Sequence, residues 1–365
     1  MIGENGSMKM KKESLKFLQR LVETPSPSGH EARGQRVWRE HVSRYVDEMS
    51  QDAYGNLVGT INPGGSPRLM LAAHADEIAM MVNYIDDQGY VYVRRVGGVD
   101  PAIMRARRVT VHAAKGDVPG VIGNVPPHLK GRDGKETAPK MHELFVDLGV
   151  DSKNEAEALV QVGDLITLSD SFQRMGSQIA VARAFDNRVG LFMIAEAARL
   201  LGASKKKLKA EVCIVANVME EIGLLGARQI AYSLQPDVAL VTDVTHATDY
   251  PGVEKRMHGD IRLGRGPTLT HGGPNHREVV AHLEKVAKKA SIPLQHESMS
   301  NATGTDTDVV FWTRGGIPSA LISLPNRYMH SPVELVHLND VERVPTLMAA
   351  FACSLSAKQA FQVTI

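Results

Sequence analysis

Four apolar runs of this chain end in residues of the types that bind metals. RLMLAA (68–73) leads into His74-Ala75-Asp76, and AEVCIVANVM (210–219) into Glu220-Glu221. DVALVT (237–242) leads into Asp243, and SALISLP (319–325) is followed within a few residues by His330. Imidazole nitrogen and carboxylate oxygen suit zinc and related divalent ions. A nearly continuous apolar run is what a strand covered on both faces looks like. In open α/β sheets, function gathers beyond the carboxyl ends of the strands. Parallel strands would therefore bring these four ends to one rim.

A fifth candidate is Asp186, at the start of DNRVGLFMIAEAARLL (186–201). Alone it reads as a helix N-cap. Beside four other candidate ligands, a metal role becomes the stronger reading, because a carboxylate can give one oxygen to each of two ions. Two ions about 3.5–4 Å apart need such a bridge and end ligands on both sides. Two His, two Asp and one Glu are enough. One carboxylate of Glu220-Glu221 is then left over, and can act as general base on a water between the ions. Asp76 reads as a carboxylate that orients His74 and fixes its tautomer, or as a plain turn residue. Each piece alone is weak. Together they point to a dinuclear hydrolase without naming the bond that is cut.

The elements that must hold these residues follow from the patterning. ESLKFLQRLVE (13–23) has Leu15, Leu18, Leu21 and Val22 at helical spacing, and Ser28 is placed to cap a second helix over 30–46. LVGTIN (57–62) reads as a strand. From 78 to 169 the texture changes to short β-rich runs (MMVNYI, YVYVRRV, RVTVHA, VPGVIG, LITLS) punctuated by Gly, Pro and Asp, which predicts a small barrel or sandwich. The polar stretch 130–140 reads as a loop. After Arg183 strands and helices alternate again, with Val279, Val280, Leu283 and Val286 on one helix face. The expected architecture is α/β: a central mixed sheet flanked by helices, formed by 1–77 and 170–365 and interrupted by an inserted small β-barrel domain at 78–169.

Bulk properties fit. The 365 residues are 43% hydrophobic and 23% charged, with a formal net charge of +1. That balance offers no electrostatic footprint for nucleic acid. No run is apolar for about 18 residues, so no membrane span is expected. The N-terminus lacks the apolar core of a signal peptide. Cys213 and Cys353 lie far apart in apolar contexts and suit reduced thiols in a cytoplasmic protein. The Lys205–Lys207 run reads as a solvated connection. His271, His276 and His282 read as loop and helix residues, with a third metal site as the lesser alternative. His128 is either structural or at the site entrance.

The stretches AAHADEIAMMV (72–82), VIGNVPPHL (121–129), ARAFDNRVG (182–190), NVMEEIGLLGA (217–227), VTDVTHA (241–247), GTDTD (304–308) and RYMHSPVE (327–334) resemble the tetrahedral (TET) aminopeptidases. These form the glutamyl-aminopeptidase group of dizinc exopeptidases, some of them labelled cellulase M. The resemblance covers almost the whole chain. It implies His74 and Asp243 as end ligands of one ion, Glu221 and His330 as end ligands of the other, and Asp186 as the bridge. It also implies Glu220 as general base, Asp76 as the partner of His74, and a cis peptide after Asp186. Two divalent ions per chain, zinc or cobalt, and peptide substrates with a free amino terminus follow from it. So does self-association through dimers into a homododecamer, mediated in part by the inserted domain. Thr305 and Asp306 would shape the pocket for the first substrate residue, although Asp306 also reads as a helix cap. A glycoside hydrolase, a dinuclear deacylase and a non-enzymatic assembly protein are the rival readings. The first leaves His74 and His330 without a task, since glycosidases need only two carboxylates.

Overall fold

A computed structural model describes residues 10–129, 138–203 and 208–365. The lysines at 205–207, most of the 130–140 stretch and residues 1–9 lie outside them. The centre is an 11-stranded mixed sheet. Four of its strands, Glu211–Asn217, Arg68–His74, Val238–His246 and Ser319–Arg327, lie side by side and parallel in that order. Their alternation explains why they read as unbroken apolar runs. Leu69, Leu71, Val212, Ile214, Leu240 and Ile322 point to one core, while Met70, Ala72, Cys213, Val215, Val241 and Leu321 point to another on the opposite face. Both faces are covered, so neither position of the period-two repeat is free to be polar.

The larger core is capped by helices Lys12–Glu23, Ala32–Val42, Phe185–Gly202, Arg277–Lys289 and Leu338–Ser354. The Phe185–Gly202 helix is buried nearly all round, as its apolar sequence on every face requires. By contrast, Arg277–Lys289 buries only the Val279, Val280, Leu283, Val286 stripe and Ala287. The second helix is shorter than its sequence pattern suggests, and Ser28 does not cap it. The cap position is Glu31 without a side-chain bond, and the Ser28 hydroxyl donates instead to Asp76 Oδ2 at 2.7 Å.

Between the Arg68–His74 strand and the rest of the sheet the chain forms a closed barrel. Around it the order is Ala79–Ile85, Val91–Val96, Phe145–Asp147, Gly116–Ile122, Arg107–Ala113 and Leu165–Leu168. The barrel has its own apolar core, including Met80, Val82, Val91, Val109, Val111, Val146 and Ile166. Closure leaves no open strand edge. No helix among the described residues is long and apolar enough to cross a membrane. Neither cysteine is in a disulfide among the described residues; Cys213 is buried and Cys353 half-buried.

Candidate metal centre

The rim of the parallel strands is where charge collects. His74 is the last residue of its strand and 1% exposed. Its Nε2 lies 3.2 Å from Asp186 Oδ1, 3.7 Å from Asp243 Oδ1 and 3.8 Å from Glu220 Oε2. His330, three residues beyond the Ser319–Arg327 strand, places Nε2 3.2 Å from Asp186 Oδ2 and 3.4 Å from Glu221 Oε1. The two oxygens of Asp186 thus face two different imidazoles. Asp243 sits inside its strand rather than after it, because the Val238–His246 strand runs on past the rim.

The positions are set by the backbone around them. Asp186 follows Ala184, which is left-handed at φ 58°, and the Asp186–Asn187 peptide is cis. The first turn is therefore not helical at Asp186 or Asn187. Asn187 secures it by donating to the Thr242 carbonyl at 2.9 Å and accepting from Gly190 N–H at 3.0 Å. Asp76 does more than face His74 Nδ1 at 3.2 Å. Its two oxygens also accept the backbone N–H groups of Glu220 at 3.0 Å and Glu221 at 3.1 Å. One buried carboxylate thus joins the end of one strand to the turn after another. Glu31 extends this support by accepting Met219 N–H at 3.1 Å, where Met219 adopts φ 56°.

Several residues that matter here carry no signal in sequence spacing. Glu334 accepts Asp186 N–H at 2.8 Å and His330 N–H at 3.0 Å, clamping both sides of the cluster. Glu77 pairs with Arg183 and, at 3.0 Å, with Arg188, all buried directly behind the site. The barrel contributes Gly97 and Gly98. A Cβ at Gly98 would lie 2.6 Å from His330 Nδ1, and one at Gly97 would lie 3.2 Å from Glu221 Cβ. The Gly-Gly pair was the only hint of this approach.

Asp306 is 1% exposed and accepts from Asn217 Nδ2, at the end of the neighbouring strand. It makes no side-chain cap to the Thr307–Val310 helix, and its Oδ1 is buried without a hydrogen-bond partner among the described residues. Thr305 turns inward on its own loop, bonding to the Thr303 and Thr307 hydroxyls. His276 and His282 lie away from the rim, and His282 bonds to Ser354. His128 is the middle residue of a short 3₁₀ turn, Pro127–Leu129, on the barrel side.

The electrostatics ask for cations. Burial, then the charges of Asp306, Asp243 and Glu221, push the Glu220 carboxyl up to about 11 against the pull of His74. Burial also raises Glu221, to about 7, assisted by Asp186. Burial opposes charge on His330, but Asp186 and Glu221 outweigh it and lift the imidazole to about 11. Burial works against the Asp186 carboxylate too, yet His330 and His74 hold it below the usual range. The buried carboxylates of Asp186, Glu220 and Asp243 and the half-buried one of Glu221 share two imidazoles, and Glu221 Oε1 has no hydrogen-bond partner among the described residues. Such a donor set could hold a divalent cation, whose charge would offset the clustered carboxylates. Two groups with ligand atoms within 4.8 Å of one another share Asp186: His74, Asp186, Asp243 and Asp186, Glu221, His330. His74, Glu220 and Glu221 also satisfy that distance, so reach alone does not separate the two glutamates.

The model of the family described as M42 glutamyl aminopeptidase matches residues 55–347. A curated lysyl aminopeptidase of Pyrococcus furiosus is 36% identical, over 92% of this chain and 95% of its own. Among solved structures, an aminopeptidase from Desulfurococcus kamchatkensis superposes with a TM-score of 0.89 at 34% identity, covering 97% of this chain and 98% of that one. The Pyrococcus horikoshii TET1 peptidase, described as able to assemble into a tetrahedron or a large octahedral shell, gives 0.84 at 29% identity, with 94% and 100% covered.

Proposed function

The chain belongs to the M42 glutamyl aminopeptidase family, and from that membership we propose that it removes N-terminal residues from peptides at a dinuclear centre on the sheet rim. His74, Asp186 and Asp243 would hold one divalent ion, zinc or cobalt, and Asp186, Glu221 and His330 the other. The observation that carries this reading is Asp186, whose two oxygens each face a separate histidine at 3.2 Å. Mixed imidazole and carboxylate donors favour such ions over magnesium or calcium.

Bound there, the ions supply Lewis acidity that lowers the pKa of water and polarises a carbonyl. The remaining work falls to the chain. Glu220 takes the proton from the attacking water as the new C–O bond forms. It returns that proton to the departing amine as the C–N bond breaks. Its burial suits this, because a carboxylate held out of water is a stronger base. Asp76 holds His74 on one side and the Glu220-Glu221 backbone on the other, so ligand and base keep one relative position. Asp306, with a buried and unpartnered oxygen, would meet the first residue of the substrate, and Thr305 would shape the loop that carries it.

We place residues 78–169 as an inserted domain that mediates dimerisation and assembly into a homododecamer, working in the cytoplasm. The assembling TET1 relative and the separate barrel core support this. Light scattering of the intact protein tests it, and a monomer would remove it.

The test of the activity is a panel of aminoacyl-p-nitroanilides given to chelator-stripped protein, with and without zinc or cobalt. Metal-restored cleavage is expected, and Glu220→Gln should lower it about 10²–10⁴-fold. Turnover of N-acylated but not free-amine substrates would replace the reading with a deacylase. Cleavage of glucan and not peptide would replace it with a glycosidase.

A further inference from the structure

A second cluster of ligand-type residues lies away from the rim, where the sheet edge meets a helix. The strand Thr268–His271 pairs in parallel with Gln295–Ser298, which has no other strand partner among the described residues and so forms an edge there. In that register Leu269 lies opposite His296 and His271 opposite Ser298. His271 and His296 therefore stand diagonally on one face. Leu269 on that face belongs to the larger core, the one covered by the Arg277–Lys289 helix. Glu284 comes from that helix.

The geometry is compact. His271 Nε2 and His296 Nδ1 are 2.8 Å apart, their rings tilted by 36° with centroids 5.1 Å apart. Glu284 Oε1 is 3.8 Å from the same His296 Nδ1. The three ligand atoms lie within 4.8 Å of one another. Without an ion, one imidazole must donate its ring proton to the other. A tetrahedral zinc with Zn–N bonds of about 2.0–2.1 Å sets its nitrogens about 3.3 Å apart, so a shift of about half an ångström replaces the shared proton by metal.

We propose that His271, Glu284 and His296 form a third metal site, separate from the rim cluster, that takes one borderline divalent ion such as zinc. Two imidazoles and one carboxylate exclude magnesium and calcium as its natural occupants. His296 and Glu284 are about half exposed, which leaves the fourth position to water. The ion ties together an edge strand, its neighbour and a helix, adding to the backbone ladder between the strands and the packing of the helix on Leu269. Its role is to pin the open end of the sheet, not to cleave substrate.

The experiment is equilibrium dialysis of the full chain against buffered zinc, with metal counted per chain in wild type, His271→Ala, His296→Ala and Glu284→Gln. The two histidine variants should each bind one equivalent less than wild type while keeping wild-type aminopeptidase activity. Glu284→Gln should weaken that equivalent by about 10-fold or more. His330→Ala, which disturbs the rim, should retain it. Hydrogen exchange over Gln295–Ser298 should slow on zinc addition in wild type and not in the histidine variants. Equal zinc content in wild type and both histidine variants, with no zinc effect on that exchange, would overturn the site.

Discussion

The sheet rim and the barrel interior are both buried, yet they are made of opposite materials. The barrel encloses Met80, Val82, Val91, Val109, Val111, Val146 and Ile166, and its cohesion is the burial of apolar area. The rim withdraws Asp76, Glu77, Asp186, Glu220, Asp243, Asp306 and Glu334 from water. Each of these costs desolvation, offset by facing backbone N–H groups, arginines or imidazoles, or for Asp306 by the Asn217 amide. The barrel therefore contributes stability with little functional demand on any one side chain. The rim uses stability made elsewhere to hold groups in positions they would not choose alone.

That contrast breaks most directly at Glu77. Its carboxylate is the common partner of Arg183 and Arg188, and Arg188 is completely buried. Burial pulls the Arg188 guanidinium down to about 10 even with Glu77 in place. Glu77→Ala leaves two buried cations unpaired, so unfolding by urea should show a loss of about 3–5 kcal/mol. A loss under about 1 kcal/mol would mean that water reaches the arginines and that the rim is not the dry region described here.

The second test sits where the two regions touch. Gly98→Ala puts a methyl group against the His330 ring, which is a third exposed and can give way. Activity should fall about 10–100-fold, because a misplacement of about 1 Å near the chemistry can cost that much. The urea midpoint should move little. Gly123→Ala, with nothing within 4 Å of its Cβ, is the control that should change neither. A large stability loss at Gly98 with activity per folded molecule intact would make it a packing glycine only.

How much of this was legible in the sequence divides along the same line. His74, Asp243 and His330 could be read because each follows or lies within an apolar run, and a strand covered on both faces cannot hide its end. The barrel could be read from short alternating runs between 78 and 169, although such runs fit a sandwich as well. Asp186 was legible only with the other candidates and the family motif, since a carboxylate at a helix start has an ordinary use. Glu334, Glu31, Asn217 and Gly98 were not singled out. They act through backbone N–H groups, a side-chain amide and close approach, across 89 residues for Asn217 and Asp306, 148 for Asp186 and Glu334 and 188 for Glu31 and Met219, and no local period records that. Ser28 was misread for the same reason: the hydroxyl that would cap the next helix reaches Asp76 instead. His296 went unnoticed because its partners depend on which strands are neighbours.

Inside the barrel a smaller effect is expected. Ile166 is fully buried and pairs with both Met80 and Val111 across the closure. Ile166→Val removes one methylene and should cost about 0.5–1.5 kcal/mol in urea unfolding, with unchanged kcat/KM. A matching fall in activity would show that the rim responds to packing defects in the barrel and would weaken the separation drawn here.

The smallest effect belongs to the surface bridge between the two regions. Arg33, on the Ala32–Val42 helix, donates to both oxygens of Asp117 on the barrel strand Gly116–Ile122, at 2.8 and 2.9 Å. The geometry is good, but the side chains are 44% and 40% exposed, so water competes for both partners. Asp117 also keeps His112 Nδ1 at 2.9 Å when Arg33 is gone. A double-mutant cycle of Arg33→Ala and Asp117→Ala should therefore give a coupling of about 0.2–1 kcal/mol. It should shrink as salt rises from 0.1 M toward 1 M, where the screening length falls from about 10 Å to about 3 Å. A coupling above about 2 kcal/mol that ignores salt would mean that this pair fixes the barrel against the sheet. In that case the position of Gly98 beside His330, and with it part of the metal centre, would depend on a contact at the surface and not on the buried rim.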